Sequence, residues 1–313
     1  MTAPRDSNGR FRNAASTEGK SLGAVLQWNL RRQRASWPRW LHDPPQPPPE
    51  PLTDGLSATF INHASFYLRI GGQGVLIDPI WSRRCSPLPF LGPQRVRAPG
   101  QRLEALPGVD LLLVSHNHYD HLDLPTLRQV RQRWNPPTLT GLDNARHLRR
   151  AGIAAHELDW WQTTMISGLS VTYVPAQHFS ARGLHDRNRS LWGGFVIQSA
   201  THTVYFAADS GWCGHFAEIA QRFPRIDLAL LPIGAYEPRW FMRAQHVDPD
   251  EAVQAHLTLG ARRSLGMHHG TFAGLTDEAI DAPLLALAAA RQRHGVAEHA
   301  FTTLPFGATL LFE

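Results

Sequence analysis

Eight consecutive residues constrain this chain more than any other stretch: Val114-Ser115-His116-Asn117-His118-Tyr119-Asp120-His121. They follow the apolar run Val109-Asp110-Leu111-Leu112-Leu113-Val114, which reads as a buried strand ending where the histidines begin. Imidazole and carboxylate are ligand types that Zn(II) takes, and a sharp loop after a strand can aim alternate side chains at one ion and the rest at a second. His116 and His118 would share the first ion, Asp120 and His121 the second. The chain carries 17 histidines, so single ones such as His147, His202 or His294 are read as surface or turn residues. Abundance does not account for an ordered H-x-H-x-D-H placed directly behind a buried strand.

Other ligand types stand in the same setting. Leu169-Ser170-Val171-Thr172-Tyr173-Val174 alternates like a strand and leads through Pro175-Ala176-Gln177 to His178. Thr203-Val204-Tyr205-Phe206-Ala207-Ala208 is a short apolar strand that delivers Asp209, and Arg263-Ser264-Leu265-Gly266-Met267 runs into His268-His269-Gly270-Thr271. Active sites are commonly carried on loops at strand ends, so one sheet edge could collect all of these groups.

The surrounding segments add Ile77-Asp78-Pro79-Ile80-Trp81, Leu91-Gly92-Pro93-Gln94-Arg95, Leu158-Asp159-Trp160-Trp161, Leu191-Trp192-Gly193, the run Tyr236-Glu237-Pro238-Arg239-Trp240-Phe241-Met242, and Gln245-His246-Val247-Asp248-Pro249. With these the pattern resembles the metallo-β-lactamase superfamily, and within it the branch typified by N-acyl-phosphatidylethanolamine phospholipase D. The resemblance implies that His116, His118 and His178 hold one zinc, that Asp120, His121 and His268 hold the other, and that Asp209 bridges them. The branch usually has an aromatic residue after the last histidine ligand, where this chain has His269; either neighbour could ligate, and the distance to Gly270-Thr271-Phe272 favours His268. Asp209 sits in Ala-Ala-Asp-Ser, where the branch more often has Gly before the aspartate and Thr after it. His63 and Asp78 are read as structural or as supporting a ligand, Asp78 by orienting an imidazole through its free ring N–H.

The fold class expected is α/β, a four-layer αββα sandwich with two mixed β-sheets. Ala58–Ile61, Ser65–Ile70 and Val75–Ile77 read as an antiparallel opening. Helices are expected at Leu124–Trp134, Leu142–Ala151, Phe216–Phe223 and Pro249–Leu259, the last capped by Asp248 with Pro249 at its first position. With 313 residues and 42% apolar content, residues 55–313 are expected to form one hydrolase domain, preceded by a basic segment and Pro-rich strap over residues 1–54. Pro44 to Pro51 fixes the backbone near polyproline geometry and excludes helix or central strand there.

Charge is uneven. Residues 1–50 hold Arg5, Arg10, Arg12, Lys20, Arg31, Arg32, Arg34 and Arg39 against Asp6, Glu18, Asp43 and Glu50, most of a net charge of +5. Leu22, Val25, Leu26, Trp28 and Leu30 could form one side of a short helix, with Trp37 and Trp40 following. That suits an anionic lipid surface and so peripheral membrane contact; the alternative is that the helix packs on the domain. No nucleic-acid module accompanies the arginines, and no nucleic-acid partner is expected; a homodimer is compatible with the sequence. The polar start lacks the apolar core of a secretory signal, and no run reaches about 18 apolar residues, so a cytoplasmic protein is expected. Cys85 and Cys213, in unlike settings, are expected to stay unpaired.

Tyr119, Gln177, Trp192, Tyr236, Arg239 and His246, on stretches between the ligand segments, are candidates for binding substrate; so are Arg187, Asn188, Glu237 and Gln245. Fixing loops by hydrogen bonds is the alternative for each. Two Zn(II) ions, or other divalent metals, some ~3.5 to 4 Å apart would share a water and lower its pKa toward about 7. Asp120 and Asp209 are therefore the catalytic candidates, Asp120 also as acceptor of the proton. The resemblance implies hydrolysis of a phospholipid headgroup phosphodiester. The metal motif alone also occurs in lactonases and nucleases, and a non-catalytic membrane-surface binding protein is the contrasting class. Against the last, structural zinc is normally closed by four protein ligands.

Overall fold

The computed structural model describes residues 2–15 and 22–312. Two seven-stranded sheets face each other. In spatial order the first runs Thr309–Phe312, Leu56–Asn62, Ser65–Ile70, Gln73–Ile77, Leu111–Val114, Thr138–Gly141, His156–Leu158. The second runs Phe301–Thr302, Arg263–Met267, Leu228–Pro232, Thr203–Phe206, Gly194–Gln198, Leu169–Val174, Thr163–Ile166. Both are mixed: the first is antiparallel up to the Gln73–Ile77 strand and parallel beyond it. The second is parallel up to the Thr203–Phe206 strand and antiparallel after it.

The near-continuous apolar runs are explained by burial on both faces, since successive side chains of a strand point to opposite sides. Leu111 and Leu113 join the core between the sheets, whereas Leu112 and Val114 pack outward with Leu127 and Val130 of the helix Leu124–Arg133. In the second sheet Leu228 and Leu230 face inward, and Ala229 and Leu231 meet Phe216, Val253 and Leu287 from three outer helices. The result is the αββα sandwich, with helices on both outer faces.

The helix Pro249–Leu259 forms as expected: Asp248 accepts from the Glu251 amide, Glu251 reciprocates, and Gly260 leaves the helix at φ 59°. One expectation needs correction, and one helix lies outside those expected. Leu142–Ala151 is only a helical turn at Ala145–Leu148 followed by a 3-10 turn at Arg149–Ala151, because Leu142 is held by the Leu158 carbonyl at the sheet edge. The helix Ala282–His294 was not anticipated; its signal is Ala/Leu propensity between Asp281 and Gly295 rather than an apolar stripe.

The N-terminal segment lies on the domain. Ala3 and Phe11 belong to the core between the sheets. A helix does form at Leu22–Arg31, but the side chains of Leu22, Val25 and Leu26, on which its expected apolar face rests, lie outside the described residues. Trp28 stacks on Phe241 at 4.5 Å and donates to Asp277, and Trp37 donates to the Glu278 carbonyl. The strap is held by Gln101, which donates to the Pro47 carbonyl, and by Arg69, which donates to that of Leu52. For Trp28, Arg32 and Trp37, the geometry is that of the packing alternative; Leu30 and Trp40 are exposed. Among the described residues no helix is long and apolar enough to cross a membrane. Cys85 and Cys213 are both free thiols.

Candidate metal centre

The strand ends converge at one edge of the sandwich. His116, His118, His178 and Asp209 present ligand atoms within 4.8 Å of one another, and so do His63, Asp120, His121 and His268. Asp209 joins the two sets. Its Oδ2 lies 3.6 Å from His178 Nε2 and 3.2 Å from His121 Nε2, while its Oδ1 lies 3.2 Å from His268 Nε2. Asp120 Oδ2 lies 3.4 Å from His268 Nε2 and 3.0 Å from His63 Nε2. All seven residues expected as ligands are therefore together. His269 is not among them: it turns away to stack on Phe60 at 5.5 Å, and burial pushes its pKa down to about 3.

The residues fit a pair of metal ions. His121 Nε2, His268 Nε2 and Asp209 Oδ1 are buried, aimed at common points, and have no hydrogen-bond partner among the described residues. Leaving such atoms unsatisfied costs free energy that a cation among them would recover. The charge balance points the same way. Burial disfavours the Asp209 and Asp120 anions, but the facing imidazoles outweigh it and hold both carboxylates well below their ordinary range. Burial also opposes protonation of His268, yet Asp209 and Asp120 raise its pKa to about 9. His118, by contrast, is driven down to about 4, chiefly by burial, and His116 and His178 are lowered further. The two carboxylates thus draw positive charge to the points that the ligand atoms share, where a cation would supply it.

Supporting groups fix the rings. Asp78, fully buried, accepts from the Ser115 amide (2.7 Å), the Ser115 hydroxyl (2.5 Å) and His121 Nδ1 (2.7 Å), which sets the His121 tautomer. His178 Nδ1 donates to the Gln245 carbonyl at 2.9 Å. Asn13, from the N-terminal segment, donates to the His178 carbonyl and accepts from the His178 amide. Sequence reasoning had no signal for Asn13. It did have one for His63, which follows the Leu56–Asn62 strand as the other ligands follow theirs. Five of these strand ends turn through left-handed backbone at non-glycine residues: His63 (φ 49°), Asp78 (φ 40°), Ala208 (φ 54°), Ala235 (φ 61°) and His268 (φ 63°).

A cavity of about 370 Å³ opens over the centre. Tyr119 and His246 line it, and His246 also comes within ligand range of Asp209 and His268. Arg187 and Gln245 line it too, whereas Gln177, Asn188, Trp192, Tyr236, Glu237 and Arg239 lie outside its lining. Gln177 is buried, its amide donating to Ser210 Oγ and its carbonyl accepting from Gly211, which pins the His178 loop to the Asp209 loop. Trp192 is buried, donating to Asn13 and to the Ala176 carbonyl, and Tyr236 is buried as well. Arg239 binds Glu251 at 2.7 Å, Asp248 at 3.2 Å and the His246 carbonyl at 2.9 Å. The walls that sequence did not anticipate are largely apolar: Trp28, Phe179, Phe241, Met242 and Leu275.

A family model described as "Beta-lactamase superfamily domain" matches residues 73–269. The chain is 38% identical over 70% of its length to the N-acyl-phosphatidylethanolamine-hydrolyzing phospholipase D 1 of Caenorhabditis elegans. It is 41% identical over 69% of its length to an uncharacterized protein of Mycobacterium tuberculosis. It spans 65% of the first and 59% of the second, less than two thirds of either relative. Among solved structures, the isothiocyanate hydrolase from Delia radicum gut bacteria superposes with a TM-score of 0.65 at 21% identity, covering 82% of this chain and 99% of that one. Sequence match, sandwich topology and paired ligand sets agree, and the chain belongs to the metallo-β-lactamase superfamily.

Proposed function

We propose that the protein is a zinc-dependent phosphodiesterase acting on a phospholipid headgroup bond, as its relative is named for doing with N-acyl-phosphatidylethanolamine. One observation carries this reading: two ligand sets sharing Asp209 form the floor of a cavity whose walls are mostly apolar. His116, His118, His178 and Asp209 would hold one ion, and Asp120, His121 and His268, again with Asp209, the other. Such a pair supplies Lewis acidity toward phosphoryl oxygens and a water acidified to near neutrality.

The protein's own groups do the rest. Asp120 faces the cavity as an anion and is positioned by His63, so its carboxylate is the acceptor for the proton that the attacking water gives up. Asp78 and the Gln245 carbonyl keep His121 and His178 in single tautomers, which holds the second nitrogens on target. Trp28, Phe241, Met242 and Leu275 offer an apolar surface to an acyl chain. A neighbouring groove shares Trp28 and Leu275 with the cavity and is bordered by Arg34, Arg84 and the exposed Phe90 and Leu91, which suits peripheral contact with a lipid surface.

The deciding experiment is product analysis on an N-acylated phosphatidylethanolamine, with metal content measured on the same sample. Release of phosphatidic acid and an N-acylethanolamine, with about two ions per chain, is expected. No turnover of this or any other phosphodiester by protein holding both ions would end the proposal.

A further inference from the structure

We infer that Arg187 is the anion-binding residue of this cavity, taking a non-reacting phosphoryl oxygen of the substrate; the inference rests on the phosphodiesterase reading and deepens it. Arg187 lines the cavity together with His118, Asp120 and Asp209. Its guanidinium lies 4.3 Å above the Phe179 ring, and Phe179 in turn stands edge-on to His118 at 4.5 Å. The charge is therefore held one ring away from the centre.

Two neighbouring arginines that could compete for this role are spent on the protein. Arg182 donates to the Asn117 carbonyl at 2.9 Å and covers Tyr119, and Arg239 is shared between Asp248 and Glu251. Among the described residues, no carboxylate or carbonyl accepts a hydrogen bond from the Arg187 guanidinium; the ring of Phe179 is its contact. The cavity's own carboxylates, Asp120 and Asp209, are turned toward imidazoles. A half-buried cation has lost hydration, and a ring face engages none of its N–H donors in plane, so the five-donor guanidinium fork is open to a phosphate.

The backbone on either side of it is built to hold this arrangement. Asp186 accepts from the amides of Arg182 (2.9 Å) and Gly183 (2.7 Å). Asn188, at φ 57°, donates its amide to the Ser180 carbonyl at 2.7 Å, and Arg10 donates to the carbonyl of Arg187 itself. The loop thus fixes where the side chain starts, and Phe179 fixes where it ends.

Isothermal titration calorimetry of the metal-loaded protein tests this by binding rather than turnover, using dibutyl phosphate (a monoanionic diester), tributyl phosphate (its neutral analogue) and inorganic phosphate. Arg187→Met should raise the Kd of dibutyl phosphate about ten-fold or more and leave tributyl phosphate within about two-fold. Arg187→Lys should retain much of the anion's affinity. Equal losses for the charged and neutral probes, or no loss for either, would overturn the role of Arg187. Wild-type protein that fails to bind dibutyl phosphate would instead sink the phosphodiesterase reading, and this inference with it. Dibutyl phosphate binding more tightly than inorganic phosphate supports a diester with apolar groups as the source of the anion. The reverse order would overturn the lipid source in favour of free phosphate.

Discussion

Replacing Asp277 with alanine should separate the N-terminal helix from the cavity over the candidate metal centre without touching the ligand groups. Asp277 accepts from Arg32 Nε at 2.6 Å and from Trp28 Nε1 at 3.0 Å, and both members of the ion pair keep only 8% of their side-chain surface exposed. Arg32 also covers the Trp28 ring at 4.1 Å. Burial lowers the Arg32 pKa, and Asp277 opposes that. A cation stranded in a rigid interior would cost about 3–5 kcal/mol. If the N-terminal segment lifts Arg32 into water once Asp277 is gone, the loss is limited to the contacts made there. One charged hydrogen bond at about 1.5–3 kcal/mol and one indole bond at about 1 kcal/mol put it near 3 kcal/mol, a shift on the order of 100-fold in docking. With the helix undocked, Trp28 leaves Phe241 and the cavity loses a wall. Hydrogen exchange should show peptides covering residues 22–41 exchanging faster in the variant while residues 111–121 stay protected. The KM for a long-chain substrate should rise more than that for a short one. Unchanged exchange over residues 22–41 would refute the latch.

Two further perturbations separate neighbouring residues or states. His268→Ala should lower metal content from about two ions to about one, whereas His269→Ala should keep both and lose about 2 kcal/mol of stability through the emptied space beside Phe60 and Phe306; metal analysis and thermal melts on the same preparations decide. For the loop that carries Arg187, burial disfavours the Asp186 anion, but the Arg182 and Gly183 amides outweigh it and hold its pKa below the ordinary 3.8. A depressed carboxylate stabilises the fold above its unfolded pKa and loses that contribution as pH falls through the folded value. Exchange protection of the Arg182 and Gly183 amides should therefore persist at pH 5 and fall below about pH 4, and Asp186→Asn should weaken it at all pH values; pH-independent protection would contradict this.

Much of the candidate centre was legible because each candidate ligand is announced locally. A strand buried on both faces reads as an apolar run, and polar residues within the next few positions emerge at the sheet edge, as His116, His178, Asp209 and His268 do. The helix Pro249–Leu259 was legible for a similar reason, since its capping box and closing Gly260 lie within the segment. What stayed hidden depends on long-range contact. Asn13 reaches His178 across 165 positions and Trp28 reaches Asp277 across 249, and nothing local in either stretch encodes its partner. For Trp192 and Gln177 local sequence leaves two roles open. A position beside ligand segments suits substrate contact or loop fixing equally, and the hydrogen bonds of Gln177 and Trp192 are those of loop fixing, tying together the loops that carry the candidate ligands.

Backbone strain connects these observations. A residue in left-handed conformation costs of order 1–3 kcal/mol unless it is glycine, and five strand ends at the centre accept that cost at His63, Asp78, Ala208, Ala235 and His268. A strand that simply continued would carry its next side chain along the sheet; the reversed φ swings it across the edge toward the neighbouring strand. For His63, Asp78 and His268 glycine would relieve the strain but remove the group that the turn exists to aim. Ala208 carries no such group, but its methyl packs into the core between the sheets and immediately precedes Asp209. The strain is thus spread over turns from both sheets, so that the shared carboxylate of Asp209 and the imidazoles around it are held at the same place before any ion arrives.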